Sequence, residues 1–177
     1  MPFTLLIASL ALLAQAPAAP APSSTLKYDM PQGWTRKPLS SSMRLADFVL
    51  PKVESDSEDA TLTVYHFPGS GGGVDANLER WVNQMTQPDN RPSKEVAKTS
   101  NLKSNDLAMT IIDLPGTYIA EKSPGSTERY NKPGFHLRAA VIEGKGGPYY
   151  VKVIGPEKTV AKWDASIQTF LKSLRVE

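Results

Sequence analysis

YYVKVIGP, Tyr149 to Pro156, opens with five β-branched, aromatic or aliphatic residues interrupted only by Lys152. Such a run reads as a strand over Tyr149 to Ile154. The segment after it has a different period. Val160, Trp163, Ile167, Phe170, Leu171 and Leu174 fall on one stripe of a helix, and Pro156 suits a first helical turn because its missing N–H would have no partner there. Upstream, Gly144-Lys145-Gly146-Gly147 joins this strand to a second one over Phe135 to Glu143. Glycine accepts positive φ without strain, so the pair is expected to be an antiparallel hairpin.

Working further toward the N-terminus, strand patterns recur at Gly116 to Ala120, Leu107 to Leu114, Glu95 to Lys103, Thr61 to Phe67 and Met43 to Leu50. Two shorter ones, Leu26 to Met30 and Trp34 to Lys37, flank the turn Pro31-Gln32-Gly33. One more helix interrupts them: Val74, Leu78, Trp81, Val82 and Met85 share a stripe that Pro88 ends. Each helical stripe carries a tryptophan, so each helix is expected to bury a broad face against the sheet. Lys122 to Gly134 reads as a polar, mobile loop, and Glu54 to Asp59 as a solvated acidic hairpin tip.

The first residues are of another kind. Phe3 to Leu13 is an apolar run too short to span a bilayer, followed by small residues and prolines. Residues 1–18 are therefore expected to be a signal peptide and 19–25 a Pro/Ala/Ser linker, leaving 26–177 as a single domain that is exported, to the periplasm or beyond. No membrane span is expected after cleavage.

Composition removes several function classes. The 177 residues carry 20 Lys+Arg against 18 Asp+Glu, a balance unlike the concentrated positive stripe of a nucleic-acid binder. Zero cysteines exclude disulfides, thiolate metal sites and a cysteine nucleophile. No nucleophile elbow, zinc-protease helix or Walker loop occurs, so neither a catalytic set, a metal nor a cofactor is expected.

Three constellations stay open. Gly71-Gly72-Gly73, with Asn77 one turn into the following helix, could hold an anion on loop amides at a helix N-terminus, or could simply let the backbone turn sharply. His66 and His136, the only imidazoles, could form a site if they converged with a carboxylate such as Asp113 or Glu143. Tyr118, Tyr130, Phe135, Tyr149 and Tyr150 cluster around the polar loop and the hairpin, where tyrosine can bury a ring and keep its hydroxyl bonded. Tyr118, Tyr130, Phe135 and Tyr149 are the candidate partner-binding residues. The ordinary alternative for all of them is sheet residues covering the core.

Three segments together carry a family resemblance. They are the Gly-rich loop into an Asn-x-x-x-Trp helix (Gly71 to Trp81), the run Tyr149 to Pro156 with a helix ending Phe170-Leu171-Lys172-Ser173-Leu174, and the opening Pro31-x-Gly33-Trp34. The chain resembles uncharacterised secreted bacterial proteins similar in fold to the photosystem extrinsic protein PsbP and to the Ran-binding Mog proteins. The resemblance implies an α+β fold, a central antiparallel sheet flanked by helices on both faces (an α/β/α sandwich). It implies no catalytic residues. The function expected is non-enzymatic binding of another envelope or secreted component, with a small ligand or anion at the Gly-rich loop as the alternative.

Overall fold

A computed structural model of the chain describes residues 25–67, 72–144 and 147–177. In chain order they form β1 (Leu26–Lys27), β2 (Thr35–Arg36), β3 (Arg44–Leu50), β4 (Ala60–His66), α1 (Val74–Val82), β5 (Met85–Thr86) and α2 (Ser93–Val96). Next come β6 (Lys98–Ser104), β7 (Leu107–Tyr118), β8 (Lys132–Glu143), β9 (Tyr149–Pro156), α3 (Glu157–Lys162), α4 (Asp164–Ser173) and β10 (Arg175–Val176). The expected signal peptide, Gly71 and the Lys145-Gly146 turn lie outside the described residues.

The main sheet runs β2-β3-β4-β9-β8-β7-β5, with β6 also on β7, and every pairing is antiparallel. The expected hairpin is present: Ile142 of β8 faces Tyr149 of β9. A separate pair, β1 with β10, ties the two ends of the domain together. Because side chains alternate along a strand, the sheet sorts its apolar residues into two clusters. Leu62, Val64, Ala140, Ile142, Val151 and Val153 join Ile167, Phe170 and Leu171 of α4 in one. Leu137, Ala139, Val141 and Tyr150 join Trp81 of α1 and Ile112 and Leu114 of β7 in the other.

The first cluster is closed by aromatic rings. Phe170 packs against Trp34, Phe48 and Tyr28 at centroid distances of 5.4, 5.8 and 5.3 Å. Gly33 turns the chain into Trp34 with φ +87, and a Cβ there would stand 2.8 Å from the Trp163 ring. Only glycine meets both demands. The Pro-x-Gly-Trp opening is thus a packing device.

Several boundaries differ from the sequence reading. α1 stops at Val82; Met85 keeps its place in the core but from β5, where it faces Tyr118. The C-terminal stripe is broken at Trp163, whose indole N–H donates to the Pro51 carbonyl at 2.8 Å, so the one helix expected is α3 and α4. Leu107 to Leu114 and Gly116 to Tyr118 are one strand, β7, running through Pro115, and Ile119 and Ala120 lie beyond its end. Proline is tolerated there because pairing with β6 reaches only to Asp113 of β7 and pairing with β5 begins at Thr117, and the Pro115 carbonyl accepts from Gln87 instead.

Two loops are more engaged than expected. Asp56 of the acidic loop accepts from the Thr159 N–H and hydroxyl at 2.9 and 2.6 Å, capping α3, and Glu58 pairs with Lys132 at 2.6 Å. The polar loop is itself a small hairpin: Glu121 bridges Arg129, the Tyr130 N–H bonds the Ala120 carbonyl, and Lys132 already belongs to β8.

Candidate functional site

One register row shows how the site arises. Across β3, β4, β9 and β8 it reads Asp47, Thr63, Lys152, Ala139, all on the sheet face that also carries Tyr150 and Val141. The opposite face at neighbouring positions is Phe48, Leu62 and Val153, filled with core. α1 lies over the Tyr150 and Val141 end of this face, where Trp81 meets Tyr150 edge-on at 6.3 Å. Beyond α1 the face opens into a cleft of about 390 Å³ bordered by Arg44, Asp47, Thr63, Tyr65, Tyr118, Tyr130, Lys132, Phe135 and Lys152.

One wall is aromatic. Tyr118 stacks on Tyr130 at 5.5 Å and lies nearly parallel to Phe135 at 6.4 Å. Lys132 sits over the Tyr130 and Phe135 rings at 5.0 and 5.3 Å, held from the other side by Glu58. The other wall is an ion pair: Arg44 donates to both Asp47 oxygens at 2.9 Å, and Thr63 adds a hydroxyl bond of 2.7 Å. Both Arg44 bonds come from Nη1, and with the Thr63 hydroxyl they fix the Asp47 carboxylate in place.

Lys152 lies at the floor. Its ammonium donates to Gln84 Oε1 and, at 3.2 Å, to the Tyr118 hydroxyl, and stands 4.9 Å from the Tyr118 ring centroid. Burial first, then the charges of Arg80 and Arg44, push it down to about 8. The Tyr118 hydroxyl is pushed up to about 12, by burial and then by Tyr130 and Tyr65. A desolvated cation among neutral partners is a site that gains when an anion enters.

The structure separates the residues singled out in the sequence. Tyr118, Tyr130 and Phe135 meet in the cleft. Tyr149 does not: it is fully buried in the α4 cluster, with the His66 ring stacked on it at 4.4 Å, because its strand parity is opposite to that of Lys152. Tyr150, of the right parity, lies under α1. Gly72 and Gly73 precede α1, and Asn77 turns back on them. Its Nδ2 donates to their carbonyls at 3.3 and 2.9 Å and its Oδ1 accepts from Arg80 at 2.7 Å. Asn77 is only 2% exposed, so its amide ties the loop to the helix.

The two histidines do not converge. His66 faces Tyr149 and His136 faces Gly155, six positions apart along β9, or roughly 20 Å at strand rise. His136 does meet Asp113, and Arg138 bonds both Asp113 and Asp164, so these four side chains clip β7 and β8 to α4. Among the described residues no group of His, Asp and Glu is arranged to hold a metal ion.

Sequence reasoning passed over Lys152, Arg44, Asp47 and Thr63. The signal was present for two of them: Lys152 and Asp47 each interrupt an otherwise apolar strand.

No family model matches the chain, and no curated protein does. Solved structures do. LpqN of Mycobacterium tuberculosis, described as involved in cell envelope biogenesis, matches with a TM-score of 0.52 at 9% identity, over 90% of this chain and 86% of LpqN. The likeness is one of fold. A cyanobacterial PsbP from Synechocystis is also similar, with a TM-score of 0.48 at 13% identity over 93% of this chain and 99% of that one. A Pseudomonas aeruginosa protein of unknown function, PA94, gives 0.49 at 13% identity, covering 79% and 94%. Among the described residues no helix is long and apolar enough to cross a membrane.

Proposed function

We propose that the protein is an exported, non-catalytic binding protein that recognises another envelope or secreted component in the cleft of Tyr118, Tyr130, Phe135, Lys132 and Lys152. The observation that carries this reading is the convergence of three aromatic rings and two lysines on the stretch of sheet face that α1 leaves open. Aromatic and cationic side chains of this sort anchor recognition, since they offer area and directed charge together. Export is supported by the apolar segment Phe3 to Leu13 and its small-residue flank. The α/β/α layering belongs to the same reading, supported by α1 and α4 packing into different sheet clusters.

The test is a comparison of capture from an envelope extract by the wild-type chain and by a Tyr130→Ala, Lys132→Ala variant of equal thermal stability. Components held by the wild type and lost by the variant are expected. The same set retained by both would place recognition elsewhere.

A further inference from the structure

Lys152 differs from the cleft's other cations, of which Lys37, at the rim, is exposed and keeps its water. Arg44 is matched by Asp47 and Lys132 by Glu58, whereas the partners of Lys152 among the described residues, Gln84 and Tyr118, are neutral. The third carboxylate bordering the cleft, Asp59, accepts from the Lys52 N–H. A lysine set in the middle of an eight-stranded sheet, between Thr63 and Ala139, gives up much of its hydration. It gains no opposite charge there in return.

Resting on the reading of this cleft as the recognition site, we propose that Lys152 anchors a carboxylate, and that the occupant is a small molecule bearing one carboxylate on a flat, apolar body. The flat body follows from the wall, where the Tyr118, Tyr130 and Phe135 rings lie within 22° of parallel in their two contacts. The size follows from the cleft, whose 390 Å³ falls in the range of small-ligand sites. The carboxylate follows from charge: with Asp47, Glu58 and Asp59 already engaged, an entering anion meets an ammonium that no side-chain carboxylate neutralises.

Protonation gives the inference a second handle. The groups around Lys152 are Arg80 of α1, Arg44 and Asp47 of β3, Tyr65 of β4, Tyr118 of β7 and Lys132 of β8. Burial, with Arg80 and Arg44, brings Lys152 to about 8, while Tyr118 is held near 12 and keeps its proton through the same window. Carboxylate binding then requires the free protein to take up a proton at high pH. Affinity is expected to be about tenfold weaker at pH 9 than at pH 7, because a lysine one unit below the ambient pH is about one-tenth charged.

The experiment is calorimetric titration of the full chain with phenylacetate, 3-phenylpropionate and 2-naphthoate, each beside its primary amide, at pH 7 and pH 9. Wild type, Lys152→Met and Lys152→Gln are compared, each first shown to unfold cooperatively. Saturable binding of at least one acid is expected, at least tenfold weaker for its amide and for both variants, and about tenfold weaker at pH 9. Equal affinity for acid and amide, undiminished affinity in either variant, or a flat pH response would overturn the assignment. So would binding of acidic peptides with none of the three acids. Failure of all three acids, while Tyr130→Ala, Lys132→Ala still loses the captured components, removes the carboxylate inference and leaves the cleft. An unchanged capture set removes both.

Discussion

At the scale of single residues, the fold tolerates close approach where a side chain is missing. Gly155 of β9 lies against Ala60 at the end of β4, and a Cβ on it would stand 2.3 Å from the Ala60 Cβ. Neither atom can move without parting the β4–β9 ladder in the centre of the sheet. Gly155→Ala is therefore expected to cost about 1–3 kcal/mol, the usual range for overpacking, and Ala60→Gly in the same chain is expected to restore part of it. Urea unfolding of the single and double variants measures both. An unaffected single variant would mean the strands part more easily than this packing implies. Asn77 illustrates the same scale in polar terms. Its position next to a Gly-rich loop looks like a ligand contact in the sequence, yet its amide closes the loop onto α1.

Elements show where periodicity is a sufficient guide and where it is not. Trp81 was legible as the centre of an apolar stripe, and it is 3% exposed, joining Met85, Leu137 and Tyr150 beneath α1. Trp81→Ala is expected to cost about 3–5 kcal/mol, as for other buried aromatic truncations, and to loosen α1 before the rest of the sheet. Hydrogen exchange resolved by segment, beside the unfolding curve, checks both parts; a loss below about 1 kcal/mol would show that α1 contributes little. Helix ends were less legible. The stripe through Trp163 runs on as though unbroken, but the indole is drawn to the Pro51 carbonyl across the fold, and the helix divides there. β10 was missed because two residues carry no period; they become a strand only because β1 lies beside them.

At the scale of the whole molecule, the clip of His136, Asp113, Arg138 and Asp164 joins β7 and β8 to α4 and makes stability depend on pH. Burial works to raise the Asp113 carboxyl, but the hydrogen bond and charge of His136 and then those of Arg138 outweigh it and hold Asp113 below the usual carboxylate range. A carboxyl depressed by folding stabilises the protein above its unfolded pKa, near 4, and that contribution drains away as the pH falls toward the folded value. Asp113→Asn is thus expected to be less stable than wild type at pH 7 and to show a shallower loss below about pH 4. Thermal midpoints from pH 2 to 7 test the sign; parallel curves would place the acid sensitivity elsewhere.

Local sequence was enough for the α+β class, the β8–β9 hairpin and the apolar face of α1, because each is written in periods or neighbours a few residues long. Which tyrosines share a cleft was settled by the tertiary structure alone. Tyr149 and Lys152 are three positions apart on one strand, so alternation sends them to opposite faces, and the choice of face rests on strands far away in the chain. The same holds for Arg44, Asp47 and Thr63, which reach Lys152 through the pairings of β3 with β4 and β4 with β9. Long-range register sets those meetings, and no local pattern encodes it.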